Sequence, residues 1–223
     1  MAMDVPEIIV TRDGSHSLFD RSRNETYHSV HGAIQESKHV FIRAGLEHSL
    51  SVAKDSIDIL EIGFGTGLNA LLALLFSREH SHHVNFTTVE AFPLPEEIWS
   101  RLNYASQLDA TDEFKKIHSC SWGDRHLISD DFSLVKCHTT LEAFAVPNGH
   151  FDVIFYDAFA PSRQPEMWHL PLLEKVCAGL RLPGIFVTYC ATGQLKRDLR
   201  SLGLTVETLS GPPGKKEMVR ASR

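Results

Sequence analysis

Glu61-Ile-Gly63-Phe-Gly65-Thr-Gly67-Leu-Asn69 decides how this chain is read. The apolar run Asp58–Ile62 that leads into it has the make-up of a buried strand, and the leucine-rich stretch Gly67–Ser77 that follows repeats at helical spacing. The segment is therefore a strand-to-helix turn. Glycines there let the backbone turn sharply and let a ligand come within contact of the peptide groups. The spacing is Gly-x-Gly-x-Gly, not the Gly-x-Gly-x-x-Gly of dinucleotide sites, whose third glycine draws the helix in close. A glycine loop preceded by an acid suits S-adenosyl-L-methionine, which carries a cationic amino group and sulfonium and has no phosphate to cradle. Glu61, Gly63, Gly65, Gly67 and Asn69 are the first candidate cofactor residues.

Outward from this turn, short apolar runs alternate with helical stretches, the pattern of parallel strands covered by helices on both faces. Strands are predicted at Asp58–Ile62, Val84–Glu90, Ser133–His138, Phe151–Asp157, Gly184–Tyr189, Leu204–Leu209 and Glu217–Arg220. Helices are predicted at Gly67–Ser77, Pro95–Leu108, Leu141–Phe144, Glu166–Leu180 and Gly193–Leu202. Gly211-Pro-Pro-Gly214 is too short for a crossover, so the last two strands form an antiparallel hairpin. This is the order of an α/β, Rossmann-like class I S-adenosylmethionine methyltransferase: a mainly parallel seven-stranded sheet with a C-terminal antiparallel hairpin. Upstream, Ile8–Val10 and Leu18-Phe19 flank the turn dipeptide Asp13-Gly14 as a hairpin, and Tyr27–Leu50 reads as helix. Residues 1–50 are thus an appendage and 51–223 the main domain of one compact unit, while 109–131 is the least regular region.

With 223 residues, 43% of them hydrophobic, the chain has enough material for one substantial core. Cys120, Cys137, Cys177 and Cys190 form no Cys-x-x-Cys pair, which points to reduced thiols in a cytoplasmic protein. The N-terminus has no signal-peptide pattern, and the longest apolar run, Ala70–Phe76, is far too short to cross a bilayer. A net charge of −6 argues against indiscriminate nucleic-acid binding. The charge is segregated, however. From Cys190 onward seven Lys and Arg residues face three acids, a net of +4, which leaves −10 on the rest.

In a doubly wound sheet the ligand crevice lies off the carboxyl ends of the strands, so Gly63, Glu90, His138 and Asp157 are expected to converge. Glu90 ends its strand twenty-three residues after Gly67, where nucleotide-binding folds place an acid on the ribose hydroxyls. Asp157 ends Phe151-Asp-Val-Ile-Phe-Tyr-Asp157, either holding an acceptor amine and taking its proton or contacting the cofactor alone. His138 or Thr139 is placed at the adenine edge, with a cap or packing role as the alternative. Phe159 and Pro161, in the loop after Asp157, are substrate-side residues, Phe159 by stacking on a splayed base. Trp168 is read as packed beneath that loop. Lys215 and Lys216 are placed on RNA phosphates. No metal is expected, although His80-Ser-His82-His83 is dense in histidine, because its spacing fits no ligand set.

Several of these stretches resemble one family. The glycine loop, Asp157-Ala-Phe-Ala-Pro161 with Pro165-Glu-Met-Trp168, Gly214-Lys-Lys-Glu-Met218 and the upstream His31-Gly-Ala-Ile-Gln-Glu36-Ser-Lys-His-Val-Phe41 are similar to the methyltransferase of the MnmC family. The resemblance implies S-adenosyl-L-methionine as cofactor and the tRNA anticodon loop as partner. It further implies methylation of the aminomethyl group on the modified wobble uridine, giving 5-methylaminomethyl-(2-thio)uridine. That family often carries a fused FAD-dependent oxidase domain; this chain, ending at Arg223, resembles the stand-alone form. Where related enzymes often have an acid after the third strand, this chain reads Lys136-Cys-His138-Thr139-Thr140. Two other functions stay open at this point: aminopropyl transfer on the same fold, and a non-catalytic RNA-binding protein.

Overall fold

The computed structural model describes residues 5–50 and 56–223. Three strands open the chain, β1 (Glu7–Val10), β2 (His16–Asp20) and β3 (Glu25–Thr26), paired antiparallel as a small sheet. Helix α1 (Ala33–Ser37) runs into a π-helical continuation, Lys38–Glu47. Then come β4 (Ser56–Ile62), α2 (Leu68–His80), β5 (His83–Glu90), the short helices α3 (Glu96–Trp99) and α4 (Tyr104–Gln107), and α5 (Thr111–Ser119). The second half holds β6 (Arg125–Ser129), β7 (Phe132–His138), β8 (Phe151–Tyr156), a 3-10 turn at Pro165–Trp168 and α6 (Leu170–Ala178). It closes with β9 (Leu180–Thr188), α7 (Gly193–Ser201), β10 (Thr205–Ser210) and β11 (Glu217–Ser222).

The main sheet has the order β10-β11-β9-β8-β4-β5-β7-β6. It has eight strands rather than the seven expected. The central pairs are parallel, β11 inserts antiparallel between β9 and β10, and β6 adds an antiparallel edge beside β7. The extra strand lies within the region read as irregular, which also contains α5. Both are hard to see in sequence because each buries so little: Phe114 and Ile117 in α5, and Ile128 alone in β6.

Alternation along the central strands feeds two cores. Ile59, Val153, Phe155 and Val187 point to the face covered by α2, the π-helical segment and the N-terminal elements. Leu60, Ile62, Ile154, Tyr156 and Phe186 point to the face covered by α6 and α7. Every residue of β8 is buried, as a strand packed on both sides must be. Leu18, Ala33, Val40 and Phe41 belong to the first core, so the N-terminal segment is built into it rather than lying on top. The predicted helix over Tyr27–Leu50 begins six residues later than expected, after β3, and Leu141–Phe144 forms turns rather than a helix.

Candidate active site

The strand ends define one edge of the sheet. Gly63 donates its N–H to the Val89 carbonyl (3.0 Å), Asp157 to that of Ile62 (3.0 Å) and Thr139 to that of Glu90 (3.1 Å), so the loops after β4, β5, β7 and β8 meet at one level. Between them opens a cavity of about 530 Å³. Its floor is the glycine loop. Gly63 has φ +92°, and a Cβ there would stand 2.7 Å from the Asp157 carbonyl oxygen, so only glycine lets the β4 and β8 loops approach this closely. Gly67, at φ +71°, starts α2 against the His118 ring. Burial holds His118 neutral, with its pKa down at about 3, and its Nε2 lies 3.2 Å from the Thr66 carbonyl.

The carboxylates around the cavity differ in environment. Glu90 accepts from the Gly65 N–H (3.0 Å) and the Phe92 N–H (2.8 Å), which fixes both oxygens at the cavity wall. Asp157 accepts from Asn69 Nδ2 (2.8 Å). Burial, seconded by the charge of Glu36, pushes its pKa up to about 7, while Asn69 and Lys215 pull the other way. Glu61 sits fully inside, beneath the loop, accepting from Thr88 Oγ1 (2.7 Å), and burial raises its pKa well above the usual carboxylate range. Its Oε1 and the Asn69 Oδ1 are both buried acceptors without a partner. A proton held by Glu61 turns one of these oxygens into a donor.

The N-terminal segment forms the opposite wall. His28 is buried, with Nε2 2.7 Å from Thr66 Oγ1, and burial lowers its pKa to about 4, so it stands there as neutral imidazole. Tyr27 meets Phe159 edge to face (centroids 5.0 Å), and Arg23 lies over the Phe159 ring (5.3 Å), which roofs one end of the cavity. Trp168 is buried and donates Nε1–H to the Phe159 carbonyl (2.7 Å), fixing the loop from below.

Of the residues selected from sequence, Gly63, Gly65, Asn69, Glu90, Thr139, Asp157, Phe159 and Lys215 line the cavity together. Glu61 and Gly67 support its floor from behind. His138 is exposed, packed against Trp122 (centroids 5.7 Å), and Pro161 is half-buried at the loop's far end; neither is in the lining. The two lysines part company: Lys216 is exposed, whereas Lys215 turns inward. Its Nζ stands 2.7 Å from Glu36 Oε1 and 3.6 Å from the centre of the Tyr189 ring. Glu36 and Tyr189 are the residues sequence reasoning passed over. Tyr189 follows the last residue of β9, so the strand-end rule that selected Asp157 also covered it. Glu36 carried no such signal, since its environment comes from the other end of the chain.

Comparison with known proteins agrees with this geometry. A family described as S-adenosyl-L-methionine-dependent methyltransferase matches residues 129–223. The protein from Ectopseudomonas mendocina named "tRNA 5-methylaminomethyl-2-thiouridine biosynthesis bifunctional protein MnmC" is 32% identical over 217 residues, 89% of this chain and 32% of its own. The MnmC of Methylobacillus flagellatus is 29% identical over 211 residues, 87% of this chain and 32% of its own. The crystal structure of MnmC2 from Aquifex aeolicus superposes with a TM-score of 0.80 at 26% identity, covering 99% of this chain and 71% of that one. The chain is similar to MnmC proteins over nearly its whole length. It spans about a third of the length of the curated MnmC proteins it matches, and its fold is that of a class I S-adenosyl-L-methionine methyltransferase, as the strand order predicted.

The donor set fits that cofactor. The lining holds several carboxylates for a cationic ligand, Glu90 and Asp157 among them, and Arg23 and Lys215 are its only Lys or Arg side chains. Among the described residues no helix is long and apolar enough to cross a membrane.

Proposed function

We propose that this protein transfers a methyl group from S-adenosyl-L-methionine to the aminomethyl group on the modified wobble uridine of tRNA, giving 5-methylaminomethyl-(2-thio)uridine. The observation that carries this reading is a single cavity holding the glycine floor, Glu90 and Asp157. In it a cofactor and an amine meet beside a carboxylate that ionises near neutral pH. The tRNA half of the reading is supported by the likeness to proteins named for tRNA 5-methylaminomethyl-2-thiouridine biosynthesis.

In this reading Gly63, Gly65 and Gly67 border the methionine half of the cofactor and Glu90 holds the ribose hydroxyls, with Glu61 and Asn69 keeping the floor in shape. Thr139 stands at the adenine side, with His138 outside it. The cofactor supplies an electrophilic methyl carbon on sulfur. Attack needs a neutral nitrogen lone pair in line with that carbon, and the nitrogen sheds a proton as the new bond forms. Asp157, oriented by Asn69, takes that proton. Phe159, in the roof with Tyr27, stacks on the extruded base, and Pro161 stiffens its loop. Lys216 meets a backbone phosphate. Residues 1–50 and 51–223 work as one unit, because both line the cavity.

The test is incubation of the purified protein with the cofactor and tRNA bearing 5-aminomethyl-2-thiouridine, with nucleosides read by mass spectrometry. Appearance of the methylaminomethyl nucleoside is expected. Cofactor binding without methylation of that tRNA would overturn the substrate; failure to bind the cofactor would overturn the reading altogether.

A further inference from the structure

Lys215 is not presented to solvent as a turn lysine would be. The turn that carries it is clamped from the N-terminal side: His39 Nε2 lies 2.8 Å from the Ser210 carbonyl, and Gly214, at φ +86°, lies so close to the His31 ring that no side chain fits between them. Its ammonium is thereby delivered onto the Tyr189 ring and against Glu36, a carboxylate only 5% exposed. Glu36 is itself fixed, since its Oε2 accepts the Ser29 N–H (2.7 Å). Tyr189 is held by donation of its hydroxyl to the Ala158 carbonyl (2.8 Å), in the same loop as Asp157. An ion pair this well held, in the wall of the cavity that contains Asp157, is costly to desolvate and weak as a stabilising device.

We infer that Glu36 and Lys215 are a pair of opposed positioning residues that set the protonation of Asp157 and of the acceptor amine: Lys215 favours the ionised carboxylate and the neutral amine, and Glu36 favours the reverse. This rests on the methyl-transfer reading above. The groups around Asp157 are Glu61 from β4, Asn69 from α2, Glu90 from β5, Glu36 from α1, Tyr189 after β9 and Lys215 from the β10–β11 turn, with neutral His28 beside Glu36. Lys215 is the one cation among them. Without it, Glu36 is an uncompensated neighbour of a carboxylate that has to give up its proton to work. Without Glu36, the cation acts unopposed. The two charges therefore push the site in opposite directions, a signature that neither a structural ion pair nor a phosphate contact shares.

Two readouts follow the prediction. Single-turnover methyl transfer by the wild type rises with pH as Asp157 ionises. In K215M the midpoint moves up by roughly one pH unit, and in E36Q it moves down by about as much, the usual scale for a charge at this range. The double variant, lacking both charges, returns close to the wild type, as does K215R, which keeps the cation. Independently of tRNA, the Asp157 carboxyl, ¹³C-labelled and assigned by its loss in D157N, titrates with the same displacements in the cofactor-loaded protein. Midpoints that stay fixed while both single variants merely lose rate would overturn the inference, as would a K215M variant altered only in tRNA affinity and its salt dependence. Should the wild type not methylate the tRNA, the proposed function falls, and the carboxyl titration still decides the inference. If one single variant fails to fold, the other still decides, because its midpoint has to move in its own direction, up in K215M or down in E36Q.

Discussion

Asp157→Asn is expected to make the protein more stable while disabling it. Holding the carboxyl at about 7 rather than its ordinary 3.8 costs the ionised fold about 4 kcal/mol at 1.36 kcal/mol per pH unit. Asp157 is only half-buried and the cavity admits water, which screens the charge and brings the recoverable part to about 2 kcal/mol. The sign follows from proton binding. Below about pH 4 the carboxyl is protonated in the folded and unfolded states alike, and no penalty exists. Between pH 4 and 7 the unfolded chain ionises first, so the wild type loses stability as pH rises, and above 7 the loss is complete. Asparagine keeps the shape, can accept from Asn69 Nδ2 through its amide oxygen, and carries no such penalty. In cofactor-free protein, thermal unfolding at pH 8 should therefore show the variant melting roughly 4–8 °C higher, with little difference at pH 4. Single-turnover methyl transfer should meanwhile fall by roughly 10²-fold or more, the contribution of a positioned proton acceptor. Equal stabilisation at both pH values, or destabilisation at pH 8, would refute the reasoning.

Glu90→Ala removes the acceptor proposed for two ribose hydroxyls; with a charge-assisted hydrogen bond worth about 1.5–3 kcal/mol, calorimetric titration should show cofactor affinity down at least tenfold. Gly63→Ala places a methyl 2.7 Å from the Asp157 carbonyl at a positive φ, so it should cost about 1–3 kcal/mol in urea unfolding and abolish detectable cofactor binding. Lys216→Ala, exposed and outside the cavity, should weaken tRNA binding and lower the magnitude of its salt slope by about one, with cofactor affinity unchanged; an unaltered slope places the phosphate contact elsewhere.

How much of this was legible follows from where the information lies. The glycine loop, β4, β5, β8 and the C-terminal hairpin are local patterns: apolar runs of strand length, glycines at a turn, and a Gly-Pro-Pro-Gly link too short for a helix. Strand-end logic brings Gly63, Glu90, His138 and Asp157 to one edge, and all but the exposed His138 line the cavity. The N-terminal segment was harder. Helical spacing puts Val30, Ile34, Val40, Phe41 and Leu46 inward, and all but the exposed Val30 are buried, but the late helix start reflects β3 pairing with β2, a tertiary choice that propensity does not encode. Arg125–Ser129 buries Ile128 alone, and an edge strand with so little apolar content has no periodicity to find. Lys215 is the sharpest case: a lysine in a turn is ordinarily solvated, and only Gly214 passing the His31 ring turns it inward.

The cavity walls come from residues 23–36 at one end of the sequence and Lys215 at the other, with the strand-end loops between. Contacts so remote in sequence carry a large loop-closure entropy, which has to be met before they return any energy. During folding the parallel strands and α2 can therefore condense around β4 and β8 while the pocket is still open on its N-terminal side. In the native ensemble the same asymmetry makes detachment of residues 23–36 a cheaper opening than unfolding of the sheet, so amide exchange in that segment reports on the competence of the site and exchange in β8 on the survival of the fold.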